Sequence, residues 1–135
     1  MLLVKTKIGP SMIHGVGLFA AEFILKGTRI WTFNPQLDKF YSAAEVERLQ
    51  EPAHTTFKNY CYNSSRSGNF VLCFDDARYM NHSDDANCLG NSDDIVEGEW
   101  GDITVRDIQV GEEMTNDYKD FDRDFGYKMS NNIRN

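Results

Sequence analysis

Two clusters of side chains in this chain have the types and order to do chemistry. Asn81-His82-Ser83-Asp84-Asp85 sets an imidazole among an amide, a hydroxyl and two carboxylates, and Gly111-Glu112-Glu113-Met114-Thr115-Asn116-Asp117-Tyr118 brings a phenol after a run of acids. An imidazole beside carboxylates can ligate a metal, and a His among polar residues usually serves simply as a hydrogen-bonding strut. The acids do not form a calcium loop. Counted from Asp85, the fifth and twelfth positions are Leu89 and Val96, where oxygen ligands are needed. Cys61, Cys73 and Cys88 are widely spaced with no C-x-x-C pair, so no metal site is expected and the thiols read as free and buried. Gly15-Val16-Gly17 lets backbone approach a ligand closely. It is not a dinucleotide fingerprint, because Ala20 stands where the third glycine belongs and no βαβ unit follows.

The elements that must position these residues read mainly as short strands. Leu2 to Ile8 alternates loosely and is broken by Gly9-Pro10-Ser11; Leu18 to Ala21 and Thr28 to Phe33 follow tight turns at Gly15 and Gly27. Phe57 to Tyr62 and Asn69 to Phe74 are expected to form a hairpin about Ser64 to Gly68, with further strands at Gly101 to Val105 and Glu112 to Thr115. One helix is well marked. Ser42-Ala43-Ala44-Glu45 is a capping box, Val46 and Leu49 fall at helical spacing, and Pro52 stops the run. The expectation is a mainly β domain with one or two short helices.

Charge and size narrow the field. A chain of 135 residues is one domain by size. Its net charge of −7 argues against direct nucleic-acid binding, which needs clustered Lys and Arg, and suits a basic protein partner. The acids Asp93, Asp94, Glu97 and Glu99 are either a basic-peptide recognition strip or a solvated loop. No apolar run approaches membrane-spanning length and no leader is visible, so a soluble intracellular protein is expected, cytoplasmic if the source is bacterial.

Four ordered elements resemble the signature of SET-domain protein lysine methyltransferases. Gly15-Val16-Gly17-Leu18-Phe19-Ala20 is similar to the family's G-x-G-x-F/Y-A entry. Tyr60-Cys61-Tyr62 is similar to its Tyr-x-aromatic segment, Asp75 to Asn87 to D-x-x-x-x-R-F-x-N-H-S-x-x-x-N, and Gly111 to Tyr118 to G-E-E-L-x-x-D-Y. The resemblance implies small curved β-sheets with a C-terminal pseudoknot. It also implies S-adenosylmethionine as cofactor and transfer of its methyl group to a lysine of a protein substrate, in a single domain with a core at about 8–120 and a tail at about 121–135. Residue by residue, it implies Tyr118 and Tyr60 as catalytic. Gly15, Val16, Gly17, Asn81 and His82 would hold the cofactor, and Arg78 and Asp117 would brace the knot. Tyr60, Asn116, Phe125 and Tyr127 would belong to the substrate channel.

The departures from the pattern are specific. Asp84 follows Ser83 where many histone methyltransferases have cysteine, the tail has no cysteine for a zinc-binding module, and Asn116 stands where many relatives carry Phe or Tyr. The tail aromatics Phe121, Phe125 and Tyr127 are therefore the candidates to close the channel, with Phe125 or Tyr127 expected over the site. Two other readings stay open: a catalytically weak SET-like module that binds cofactor or protein, and a metal-binding β-domain on the Asp-rich loop.

Overall fold

The protein is seen in a computed structural model that describes residues 1–130. The last five residues of the expected tail, 131–135, lie outside the described residues. Among the described residues, ten strands form two sheets. The larger contains β1 (Thr6–Pro10), β2 (Val16–Ala20), β3 (Arg29–Trp31), β7 (Asn81–His82), β8 (Cys88–Val96), β9 (Glu99–Thr104) and β10 (Glu113–Asn116). Its order is β1-β2-β10-β8-β9-β3, with β7 also paired to β10. The smaller has the order β4-β6-β5, from β4 (Lys39–Tyr41), β5 (Tyr62–Asn63) and β6 (Phe70–Leu72). The mainly β expectation and the β5–β6 hairpin both hold.

The placement of β10 organises the site. This late strand enters the middle of the larger sheet, antiparallel to β2 through Met114↔Leu18 and parallel to β7 and β8 through Thr115↔Asn81 and Asn116↔Cys88. Leu18, Met114, Cys88, Met80 and Ile108, all under 8% exposed, pack around it as the main core. Burial of that apolar surface, at about 25 cal/mol per Å2, is what holds three non-local pairings together.

Four expectations are corrected. Gly9 and Pro10 do not break β1 but pair with Gly17 and Val16 of β2. Phe57 to Tyr60 is not strand: α2 (Ala53–Tyr60) follows Pro52, and Phe57 sets its ring edge-on to Tyr41 at 4.9 Å. Packing there overrides the β preference of Thr55, Thr56 and Phe57. The Asp-rich segment is not a loop but the long strand β8, paired to β9 across a bulge between Asn91 and Ile95. There are three short helices rather than one or two among the described residues: α1 (Ala43–Glu47), α2 and α3 (Phe125–Ser130). The capping box of α1 forms as read, with Ser42 Oγ accepting from Glu45 N and Glu45 accepting from Ser42 N. Cys61, Cys73 and Cys88 are free and buried, and burial pushes the Cys61 thiol up to about 12. No helix of the described residues is long and apolar enough to cross a membrane.

Candidate active site

Asn81 is the hub of one half of the site. Its side chain is 1% exposed, and Nδ2 donates to Ser11 Oγ (3.2 Å), His14 O (3.0 Å), Val16 O (3.3 Å) and Glu113 Oε1 (3.0 Å). One amide thereby ties the Gly15 turn to β10. Gly15 takes φ +47°, a left-handed conformation that costs a glycine least, and nothing lies within 4 Å of where its Cβ would be. Gly17 is the reverse case. A Cβ there would collide with Glu113 Oε1, so the glycine is what lets β2 close on that carboxylate. Gly15, Val16, Gly17 and Asn81 are thus brought together.

His82 and Tyr118 join this half to the next. His82 Nδ1 accepts from Tyr118 N at 3.1 Å, which fixes the ring's other nitrogen toward Asp84 Oδ1 at 3.1 Å. Lys119 Nζ holds Asp84 at 2.8 Å, and this cation is the leading reason that the Asp84 carboxyl lies below its usual range. His82, Asp84 and Asp117 present ligand-type atoms within 4.8 Å of one another, already engaged in this hydrogen-bonded network. Arg78 braces the approach to β7 by donating to Phe74 O and Asp75 O. Tyr118 is 5% exposed and its hydroxyl donates to Met80 O at 2.5 Å, beside Asn81.

On the other side of Tyr118 lies a cavity with aromatic walls. Tyr60, Tyr62, Trp31, Trp100, Phe121 and Tyr118 line it, with Asn116 and Asp102 on β10 and β9. Tyr60 stands near its mouth, 39% exposed, edge-on to Tyr79 at 6.0 Å. Asn116 is 4% exposed and accepts from Asp117 N through Oδ1. Trp31 Nε1 is buried without a hydrogen-bond partner among the described residues.

The tail aromatics divide differently from expectation. Phe121, not Phe125 or Tyr127, lines the cavity, edge-on to Tyr62 at 5.0 Å and to Tyr118 at 5.8 Å. Phe125 packs on His82 at 5.1 Å, on the motif side. Tyr127 faces away and carries Lys58 Nζ over its ring at 4.3 Å. The reason is the stitching of 121–124 to the β5–β6 turn: Ser65 N donates to Phe121 O, Arg123 N to Asn63 O, and Asn63 N to Asp122 Oδ1. These bonds carry Phe121 in and leave Phe125, at the start of α3, against His82.

Several contributors had no motif to announce them. Lys128 is 4% exposed, with Nζ on Asp122 Oδ2 (2.6 Å) and Cys61 O (2.8 Å), 5.4 Å from the Tyr118 ring centre. Glu99 is 1% exposed and accepts from Tyr62 and Ser64, so it cannot belong to a surface acidic strip; Asp94 is paired to Arg29. Asp102 faces the cavity, and burial pushes its carboxyl up to about 7. Acids and lysines are read as exposed by default, so sequence reasoning passes over such positions.

A sequence model described as the SET domain matches residues 15–119. Histone-lysine N-methyltransferase 2D from Homo sapiens and from Mus musculus is 30% identical over 119 residues, covering 84% of this chain and 2% of those proteins. The chain therefore spans only a small part of the length of these curated relatives. Among solved structures, apo ctPRC2 in an autoinhibited state is similar at 25% identity and TM-score 0.66, over 97% of this chain and 17% of that one. The autoinhibited conformation of ctPRC2 bound to S-adenosylmethionine aligns at 24% identity and TM-score 0.64, over the same 97% and 17%. The Gly15 turn, the central β10 and the Asn81–His82 strand are thus those of a known architecture, and this chain belongs to the SET-domain family.

Proposed function

We propose that this chain transfers a methyl group from S-adenosylmethionine to the side-chain amine of a lysine in a basic protein, a histone being the first candidate. It would act as one domain whose segment 121–130 closes the channel. The observation that carries this is Tyr118. Its hydroxyl and amide bond to Met80 and His82, on either side of Asn81, while its ring forms a wall of the aromatic cavity. One residue thereby joins the strand that carries Asn81 to the aromatic cavity.

The residues fit the cofactor. The open space at Gly15 and the close approach at Gly17 leave backbone exposed beside Asn81, as a ligand cradle needs. When bound, S-adenosylmethionine supplies an electrophilic methyl, which the amine's lone pair takes as the carbon–sulfur pair returns to sulfur. Asn81 holds the cradle in shape, and His82 is set by its bond from Tyr118 N. The aromatic walls strip water from the lysine and favour its neutral amine. The hydroxyl of Tyr118 holds the approach line, where a misplacement of about 1 Å costs roughly 100-fold. Similarity to ctPRC2 bound to S-adenosylmethionine supports the same cofactor here, and similarity to the 2D histone-lysine N-methyltransferases supports a lysine acceptor.

Calorimetric titration with S-adenosylmethionine, paired with methyl transfer to recombinant core histones, tests this. Tyr118→Phe is expected to bind cofactor normally, lose roughly 100-fold in turnover, and lose about 1 kcal/mol of stability from the missing bond to Met80. Wild-type protein that binds cofactor without transferring methyl would establish a binding module instead.

A further inference from the structure

Of the three acids lining the cavity, only Asp102 has neither a cationic partner nor a hydroxyl donor among the described residues. Asp122 is paired with Lys128, and Glu99 is satisfied by Tyr62 and Ser64. Asp102 lines the cavity from β9, as does Asn116 from β10, and has no ion pair within 4.0 Å among the described residues. Arg66 attracts it without reaching it. That guanidinium is stacked on Trp100 at 4.1 Å and lies over Gly90, where a Cβ would meet Arg66 Nη2 at 2.5 Å. A carboxyl turned into an aromatic slot, beside an amide and out of reach of its nearest cation, is a seat for an incoming ammonium.

We infer that Asp102 receives the substrate lysine's ammonium at the inner end of the cavity and accepts its proton, leaving the neutral amine that attacks. This rests on the methyltransferase reading above. In this step one N–H bond breaks and an O–H bond forms on Asp102, the bonding pair staying on nitrogen as the lone pair used for methyl transfer. The carboxylic acid then returns its proton to water through the cavity mouth, so each methyl transferred releases one proton.

The surroundings suit the role. Burial is the main cause that raises the Asp102 carboxyl to about 7, with Glu99 raising it further and Asn116, Arg66 and the amino terminus lowering it. Tyr62, Cys73 and Cys88, the other titratable neighbours, are all pushed upward by burial and stay neutral through that range. An acceptor that titrates near neutral pH is half-prepared in both directions. The sign for stability is the opposite of that for activity. A carboxyl raised in the folded state favours folding below its ordinary range and loses that contribution as pH rises through about 7.

Asp102→Asn keeps the shape and removes the acceptor. In the full chain, the Asp102 carboxyl carbon, assigned by NMR from its absence in the variant, should titrate near neutral pH. It should also shift on addition of n-butylammonium as a lysine-stem probe. A carbon that titrates in the ordinary carboxylate range, or ignores the probe, overturns the inference and leaves the methyltransferase reading standing. With core histones and S-adenosylmethionine, the wild-type rate should rise with pH through about 7. The variant should lack that limb, run roughly 100-fold slower, bind cofactor within twofold, and melt higher than wild type above neutral pH. Equal rates at every pH would remove Asp102 from the mechanism. Cofactor binding without transfer by wild type would fell the methyltransferase reading, and the proton step with it.

Discussion

The two halves of this site are built by different means. The motif half gathers Gly15, Gly17, Asn81, His82 and Glu113 around short uncharged or singly charged hydrogen bonds within one sheet. The other half, the proposed channel, is walled by the segment 121–128, which reaches back to Asn63, Ser65 and Cys61 and buries a whole ion pair, Lys128–Asp122. The first half is held by strand register, so its residues recur as compact motifs. The second is held by contacts across some 60 positions of sequence, as between Asn63 and Arg123, and leaves no local signature. A site can thus be half legible, with the glycine-turn side announced by spacing and the aromatic-cavity side assembled by tertiary packing.

The largest way to break this division is at Lys128. Replacing it with Met leaves Asp122 buried without its cation, which costs about 3–5 kcal/mol. Chemical denaturation should show that loss, and the double variant Lys128→Met/Asp122→Asn should recover part of it. If the halves are independent, folded Lys128→Met protein at low temperature should keep its affinity for S-adenosylmethionine and lose apparent affinity for the protein substrate. A matching loss of cofactor affinity would show that α3 also supports the motif half, through Phe125 on His82.

The residues themselves explain what is legible. Tyr118, Asn81 and His82 are readable because they sit in short local motifs that resemble those of the family, and the Gly15–Gly17 turn because it needs a left-handed turn and a close strand approach. The capping box at Ser42 and the β5–β6 hairpin are readable for the same reason, being local. The α2 segment misleads because Pro52 and the packing of Phe57 outweigh its strand-like composition. The Asp-rich β8 misleads because pairing with β9, not propensity, makes it a strand. Phe121 cannot be chosen over Phe125 and Tyr127 from sequence, since only the bonds from Ser65 and Asn63 decide which ring turns inward. Asp102 and Lys128 carry no signal, because a lone buried charge looks in sequence like any surface charge.

The motif half predicts the converse phenotype at a smaller scale. Gly17→Ala puts a methyl against Glu113, whose carboxylate accepts from Ser11 Oγ at 2.8 Å and from Asn81 at 3.0 Å. Moving that carboxylate loosens both bonds, a loss of about 1.5–3 kcal/mol for a charged acceptor. Calorimetry should find S-adenosylmethionine affinity down at least about tenfold, the equivalent of 1.4 kcal/mol. The channel should be unchanged, read as an unaltered response of Asp102 to n-butylammonium.

The smallest prediction calibrates both. Ser42→Ala removes the acceptor for Glu45 N at the start of α1, a helix whose Val46 packs with Cys61 and Phe70 in a core cluster behind the channel. The loss of one exposed cap is about 1 kcal/mol. Because Cys61 also accepts from Lys128 Nζ, strain from α1 could reach the channel only along that path. A lowered melting temperature with unchanged cofactor and substrate affinities would place the boundary of the functional unit between α1 and Cys61. A selective rise in substrate KM would extend the channel half to include the α1 layer.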